Sequence, residues 1–304
     1  MDEYTRRTRT WLDQIYAGPP PGFGEYVPHS PIHGLSLRSQ YIGTYAHLYA
    51  VLYHLARYEF SSVLDLGAGE GFLGRLIREI FAVPVFGADL SLQACRRARS
   101  QLPDVVCAHA VELPFRTGSV DAIVSVNTLE HIVEIQQAVN ELARVARSLL
   151  VVALPHARSG QARELPTEPH AHVSLLTRAE MQVLFGPRAH IYPSLSKIVR
   201  PLYALVAEDD IRNQPRYRWL SRQPWSVVYR LARAAGSVLP GAAMLRWLCR
   251  AEYVLARLFP WWTYETIVVV ELAGVRHRVR RVPAREILDA LLRPPRSGDP
   301  LPRS

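Results

Sequence analysis

Cysteine is scarce in this 304-residue chain: Cys95, Cys107 and Cys249 are three, an odd number, and lie far apart. That pattern excludes a disulfide framework and a cysteine-based metal site, and it fits a reducing, cytoplasmic setting. Lysine is scarcer still, Lys197 standing alone among 36 basic residues. Long apolar runs are missing as well. The longest neutral run of the C-terminal half, Ala234 to Leu245, is broken by Gly236, Pro240 and Gly241. No spanning helix is therefore expected. The opening stretch MDEYTRRTRTWLDQIY lacks an apolar core, so no signal peptide is expected either. There are no internal repeats, and with 49% hydrophobic and 21% charged residues the chain can bury a sizeable core. Disordered, collagen-like and small disulfide-stapled classes are thereby excluded.

Acidic residues are short by nine overall, and the imbalance is local. Residues 1–193 carry a net −1, residues 194–263 a net +7 and residues 273–304 a net +5. The basic character belongs to a C-terminal addition. Five expected regions follow: an N-terminal helical lid over 1–60, an α/β core over 61–193, a basic, aromatic-rich helical insertion over 194–263, a last core strand over 264–273 and a basic, partly disordered tail over 274–304.

From Ser61 the pattern alternates. Short apolar runs at Ser62–Leu66, Val85–Ala88, Val105–Ala108, Ala122–Ser125 and Leu149–Leu154 read as strands. Helical stretches lie between them at Phe72–Phe81, Leu92–Arg99 and Glu134–Val145. Apolar strands alternating with helices predict a parallel sheet covered on both faces. Beyond Pro155 come a polar loop, a short helix at Thr177–Leu184, a strand at Ala189–Tyr192, the insertion, and a β-branched strand at Thr266–Leu272.

The chemistry concentrates in Val63 to Gly74, VLDLGAGEGFLG. A strand runs into Gly67, Gly69 and Gly71 and a helix starts at once. Glycines there permit a tight turn and close approach of a ligand, and the helix start offers free N–H groups. Asp89 closes the next strand, with Ser91 as an N-cap behind it, and a carboxylate there can accept from both ribose hydroxyls. The pattern points to a nucleoside-type ligand. Gly69, Gly71 and Gly74, with Asp89 twenty residues beyond Gly69, also satisfy a dinucleotide fingerprint, which leaves an NAD-dependent oxidoreductase as one alternative.

Asp65, Gly67, Gly69 and Gly71 in D-x-G-x-G-x-G closely resemble motif I of the class I S-adenosylmethionine-dependent methyltransferases. The resemblance continues through Leu113-Pro114-Phe115, Gly118 to Ser125, Leu129-Glu130-His131-Ile132 and Glu141 to Val145. It covers residues 40–195 and 264–272. It implies an α/β fold with a doubly wound, mostly parallel seven-stranded sheet, the last strand antiparallel, and a helical insertion before that strand. It also implies S-adenosylmethionine as cofactor. By resemblance, Gly67, Ala68, Gly69 and Gly71 hold its methionine part, with Asp65 ordering the loop. Asp89 holds the ribose, Leu90 packs on adenine, and Asn127 lies near the methyl group. Where the family carries an acid for the adenine edge, this chain has His109, and backbone groups at Ala110 are the expected substitute. Gly74 reads as a packing glycine, Asp121 as a structural turn carboxylate, and Glu70 as solvent-facing.

The acceptor side is less determined. A hydroxyl acceptor benefits from a histidine base. The candidates are His170 and His172, in the loop after the fifth strand, and His131. On an extended segment, alternate residues point apart, so one of His170 and His172 is expected to face the site. His29, His33, Tyr41 and Tyr45 lie in the expected lid. No metal is expected, since only Glu168 accompanies His170 and His172 with suitable chemistry. The insertion reads as a substrate cap or a membrane-surface element. In Ala242–Phe259, Arg246, Arg250, Tyr253 and Arg257 share one helical face, and Leu245, Leu248, Leu255 and Leu258 share the other. With Trp225, Trp247, Trp261 and Trp262, residues 225–262 suggest peripheral contact with the inner membrane surface. Nucleic acid is not the expected partner, because no nucleic-acid module is present. The reading is methyl transfer to a small-molecule or lipid-type acceptor, on oxygen. C-methylation of a quinone-like compound and a non-catalytic S-adenosylmethionine-binding protein remain open beside it.

Overall fold

A computed structural model describes residues 1–18, 36–158, 167–213 and 215–293. Seven strands form the main sheet: β1 (Val63–Leu66), β2 (Val85–Asp89), β3 (Asp104–Cys107), β4 (Val120–Val126), β5 (Ala146–Pro155), β6 (Ala189–Ser196) and β7 (Thr263–Glu271). Their order is β3-β2-β1-β4-β5-β7-β6. β1 to β5 pair in parallel, and β7 runs antiparallel to both β5 and β6. This is the doubly wound sheet that the pattern and the resemblance predict. The strand order reverses between β1 and β4, which opens a crevice at their carboxyl ends.

The two faces are sorted by the two-residue period of a strand. Leu149, Val151 and Ala153 of β5 join one buried apolar cluster; Leu150, Val152 and Leu154 join the other. The first cluster takes in α2 (Ser39–Leu55), α3 (Phe72–Phe81), α8 (Gly241–Leu258) and α9 (Ala284–Leu291). The second takes in α5 (Ile135–Val145) and α6 (Arg178–Phe185). At roughly 25 cal/mol per Å² of apolar surface removed from water, these two layers are the main stabilising force of the fold.

The connection from β6 to β7 is helical. Its described residues hold four short 3₁₀ turns, α7 (Trp225–Gly236) and α8, and α8 packs on α2 and β6. Its rotation differs from the sequence expectation. α8 buries Leu245, Leu248, Cys249, Glu252 and Ala256, while Leu258 is 60% exposed. Arg257 stacks on Tyr253, 3.4 Å from the ring centre, and reaches His54 Nε2 at 2.6 Å. Two helices and a strand contact this one helix, so burial follows the neighbours rather than a single apolar stripe. No helix among the described residues is long and apolar enough to cross a membrane.

Candidate functional site

The crevice holds a cavity of about 270 Å³. Its floor is the turn after β1. Gly67, Gly69 and Gly71 take φ values of 75°, 53° and 81°, the left-handed region that glycine enters without strain. At Gly67 close approach adds to this, since a Cβ there would lie 2.0 Å from Thr128 Oγ1. Asp65, buried in β1, accepts from the Gly74 N–H at 2.9 Å and so ties the strand to the start of α3. Burial pushes the Asp65 carboxyl up to about 7. Gly74 is a packing position: a Cβ would meet Leu102 Cδ1 at 2.6 Å, and Gly74 does not line the cavity. A packing glycine here is also what the third position of a dinucleotide fingerprint requires, so Gly74 does not separate the two readings.

Asp89 ends β2 and lines the cavity. Its carboxyl accepts from Gly69 N–H at 2.8 Å and from Ser91 N–H at 2.9 Å. Burial raises its pKa, and those two donors oppose the rise. A carboxylate offers about four lone-pair sites, so two remain for hydroxyl donors. Ala68, Leu90, His109, Ala110 and Asn127 also line the cavity. Gly71 does not; it faces Ala98 and Gln101 of the next helical unit. Asn127 sits at φ 51° and anchors its N–H on Ala153 O at 2.8 Å.

The expectation that Glu70 faces solvent is overturned. Glu70 is 1% exposed, and its Oε1 lies 2.6 Å from Arg97 Nη1. The other Arg97 terminal nitrogen donates to Gly18 O. A buried carboxylate needs a partner, and the arginine comes from α4 (Leu92–Ala98), across the turn. Asp121 is a structural carboxylate, bonded to Ser61 N–H at 2.7 Å and Arg147 at 2.6 Å.

Within the expected N-terminal lid, the cavity-lining residues that sequence reasoning did not single out lie on α1 (Glu3–Ala17), started by Asp2, whose Oδ1 accepts from Thr5 N–H at 3.0 Å. Tyr4, Thr5, Thr8, Leu12 and Tyr16 turn one helical face into the cavity. Polar contacts hold α1 at both ends. Tyr4 Oη donates to Ala171 O at 3.0 Å, Thr8 Oγ1 accepts from His170 N–H at 3.2 Å, and Asp13 accepts from Ser91 Oγ at 2.6 Å. From α2, Thr44 and Leu48 line the cavity; Tyr41 and Tyr45 do not, and Tyr45 Oη instead accepts from Ser36 N–H at 3.0 Å. His29 and His33 fall outside the described residues. The described residues of the segment 194–263, expected as a cap, contribute nothing to this cavity wall.

The histidines converge. His131 stacks on His170 with ring centres 3.6 Å apart, and the His172 ring lies 4.9 Å from it. His170 has φ 61°, which breaks the alternation of an extended segment and lets both rings turn toward His131. Of these three, His131 and His170 line the cavity and His172 does not. Burial holds both well below the ordinary histidine range, His170 at about 4. Glu168, expected as the third member of any metal grouping, is exposed. Glu130 takes that place, buried in the 3₁₀ turn Leu129–His131.

Residues 64–150 match the family model described as a methyltransferase domain. A probable S-adenosylmethionine-dependent methyltransferase of Mycobacterium tuberculosis H37Rv is 35% identical over 112 residues, 35% of this chain and 40% of that protein. Another, from Mycolicibacterium smegmatis, is 32% identical over 127 residues, 40% of this chain and 49% of that one. The match thus spans less than half the length of either relative. Among solved structures, the geranyl diphosphate C-methyltransferase of Streptomyces coelicolor is similar at TM-score 0.48 and 14% identity, over 89% of this chain and 98% of that chain.

Proposed function

Starting from a class I S-adenosylmethionine-dependent methyltransferase domain over residues 64–150, we propose that the chain transfers a methyl group to oxygen of a small-molecule or lipid-type acceptor. The observation that carries the reading is Asp89. Its carboxylate is fixed by two backbone N–H groups, and its remaining lone pairs are available to the ribose hydroxyls. The glycine turn fits the same ligand, because the space at Gly67 admits no Cβ.

S-adenosylmethionine supplies an electrophilic methyl carbon on a sulfonium, whose C–S electron pair leaves with sulfur as a neutral thioether. The chain aligns and desolvates the reactants. Gly67, Ala68 and Gly69 would hold the methionine part, Asp65 keeps that turn on α3, Leu90 would pack on the adenine, and Ala110 would meet its edge through the backbone. Asn127 stands at the methyl end. His170, neutral at physiological pH, accepts the hydroxyl proton of the acceptor as its oxygen bonds the methyl carbon. A base of pKa about 4 suffices, because an oxygen gaining a methyl group becomes strongly acidic. His131 and His172 position that ring. α1 excludes water as a lid.

Support for a lipid-type acceptor comes from α8. Trp247, Arg250, Val254 and Leu258 share its exposed face, and Trp261 and Trp262 follow, both exposed. Exposed tryptophans in a segment of net +7 suit an anionic lipid surface.

Calorimetric titration with S-adenosylhomocysteine and with NADH tests the cofactor assignment. Micromolar binding of the former alone is expected. Asp89→Ala should weaken it tenfold or more, about 1.4 kcal/mol. Binding of NADH instead, or of neither, rejects the assignment.

A further inference from the structure

Glu130, His131 and His172 each bring one ligand atom, and these atoms lie within 4.8 Å of one another. Two are buried and unsatisfied: Glu130 Oε2 and His131 Nε2 find no hydrogen-bond partner, at 1% and 9% residue exposure. The ring of His131 shows which nitrogen is bare. Its Nδ1 lies 3.1 Å from Ala171 O, and a carbonyl only accepts, so Nδ1 carries the hydrogen and Nε2 a lone pair. That lone pair sits 3.7 Å from Glu130 Oε1. The separation is too long for a hydrogen bond. It suits two ligands of one ion, each about 2.0–2.2 Å from the metal.

We propose that Glu130, His131 and His172 form a site for one first-row divalent cation, of the Zn²⁺ or Mn²⁺ type, in the wall of the cavity. Two imidazoles and one carboxylate favour such ions over Mg²⁺ and Ca²⁺, which take all-oxygen sets. A metal-bound histidine usually donates its second ring N–H to a carbonyl or carboxylate, as His131 does to Ala171. The ligands are also preset. Ser174 N–H donates to Glu130 O at 2.9 Å, and Ser174 Oγ donates to Ile132 O at 2.6 Å. These bonds fix the 171–174 segment on the turn that carries Glu130 and His131. Three protein ligands leave positions open toward the cavity, where His131 already reaches. A hydroxyl bound there would become more acidic. That last role rests on the methyl-transfer reading; binding of the ion does not.

The test uses the full chain without a histidine tag, stripped with chelator and then titrated calorimetrically with ZnCl₂, MnCl₂ and MgCl₂. One Zn²⁺ per chain is expected, with Mn²⁺ weaker and Mg²⁺ silent. Glu130→Gln and His172→Ala should each weaken Zn²⁺ at least tenfold, and His190→Ala, a surface control, should leave it unchanged. S-adenosylhomocysteine titration of every variant reports an intact fold and separates this site from the cofactor assignment. Should Glu130→Gln fail to fold, the half-buried His172 decides alone. Absence of Zn²⁺ binding, or equal affinity in a folded His172→Ala, overturns the proposal.

Discussion

The two flanks of the sheet treat buried polar groups differently. On the β3-β2-β1-β4 flank, Asp65 and Asp89 are buried, and each is answered by backbone N–H groups of the glycine turn and the helix starts. On the β5-β7-β6 flank, Glu252 Oε2, Glu265 Oε2 and Tyr203 Oη are buried without a hydrogen-bond partner. Buried polar groups are normally satisfied, and exceptions call for an explanation. The two carboxyls of the first flank are met by backbone N–H groups, while Ser125 Oγ of β4 is left without a hydrogen-bond partner. The second leaves buried carboxyl and hydroxyl oxygens without a hydrogen-bond partner, next to the helix that exposes Trp247 and Leu258.

The largest effect is expected on the first flank. Gly67→Ala places a Cβ 2.0 Å from Thr128 Oγ1 at φ 75°. Strain and clash together should cost more than about 3 kcal/mol and abolish S-adenosylhomocysteine binding. Thr128→Ala in the same chain should relieve the clash and leave the strain, restoring part of the thermal midpoint. If Gly67→Ala alone melts like wild type, this flank is not built to tolerance.

Next comes the Glu70–Arg97 pair. Arg97→Ala removes the guanidinium 2.6 Å from a carboxylate that is 1% exposed. Leaving such a charge buried should cost about 2 kcal/mol, short of a fully buried pair because Arg97 is partly in water. Glu70→Gln should cost under about 1 kcal/mol. Equal and negligible losses in denaturant melts would restore the solvent-facing reading.

Much of the first flank is legible in sequence because its contacts are local. Gly67 to Gly71 and Asp89 lie within one strand–helix–strand unit, and α3 spans the expected Phe72–Phe81. What stayed hidden depends on partners remote in the chain. α1 meets residues 167–171, some 160 positions away, and no periodicity in either segment announces the other. The convergence of His170 and His172 on His131 rests on one left-handed φ at a non-glycine residue, which composition does not mark. The orientation of α8 was open for the same reason: its mixed face packs on α2 and β6 rather than on one layer.

A smaller effect, a pH dependence, is shared by both flanks. Burial pushes the Glu252 carboxyl up to about 8, from an ordinary value near 4.5. The folded chain therefore holds a proton that the unfolded chain has lost between those two values. The stability this contributes is complete below pH 4.5 and is lost as pH rises through about 8. Asp65, raised to about 7, acts in the same direction. The thermal midpoint should fall from pH 5.5 to 8.5, and Glu252→Gln, which keeps the Ser196 N–H bond through its amide oxygen, should flatten the fall. A slope unchanged by the substitution would show that the carboxyl is not buried as described.

The smallest effect on stability should accompany the clearest loss of interaction. Trp247 is 48% and Trp261 65% exposed, so replacing both with Ser removes little buried area, and the melt should shift by no more than about 0.5 kcal/mol. Wild type should sediment with vesicles of phosphatidylglycerol and phosphatidylcholine and stay in solution with phosphatidylcholine alone, since a net +7 segment adds electrostatic attraction to burial of the indoles. The double variant should stay in solution with both. A large loss of stability would mean that the tryptophans pack as core. Sedimentation unchanged in the variant, or absent in wild type, would detach α8 from any lipid surface, and the acceptor would then be sought among soluble metabolites.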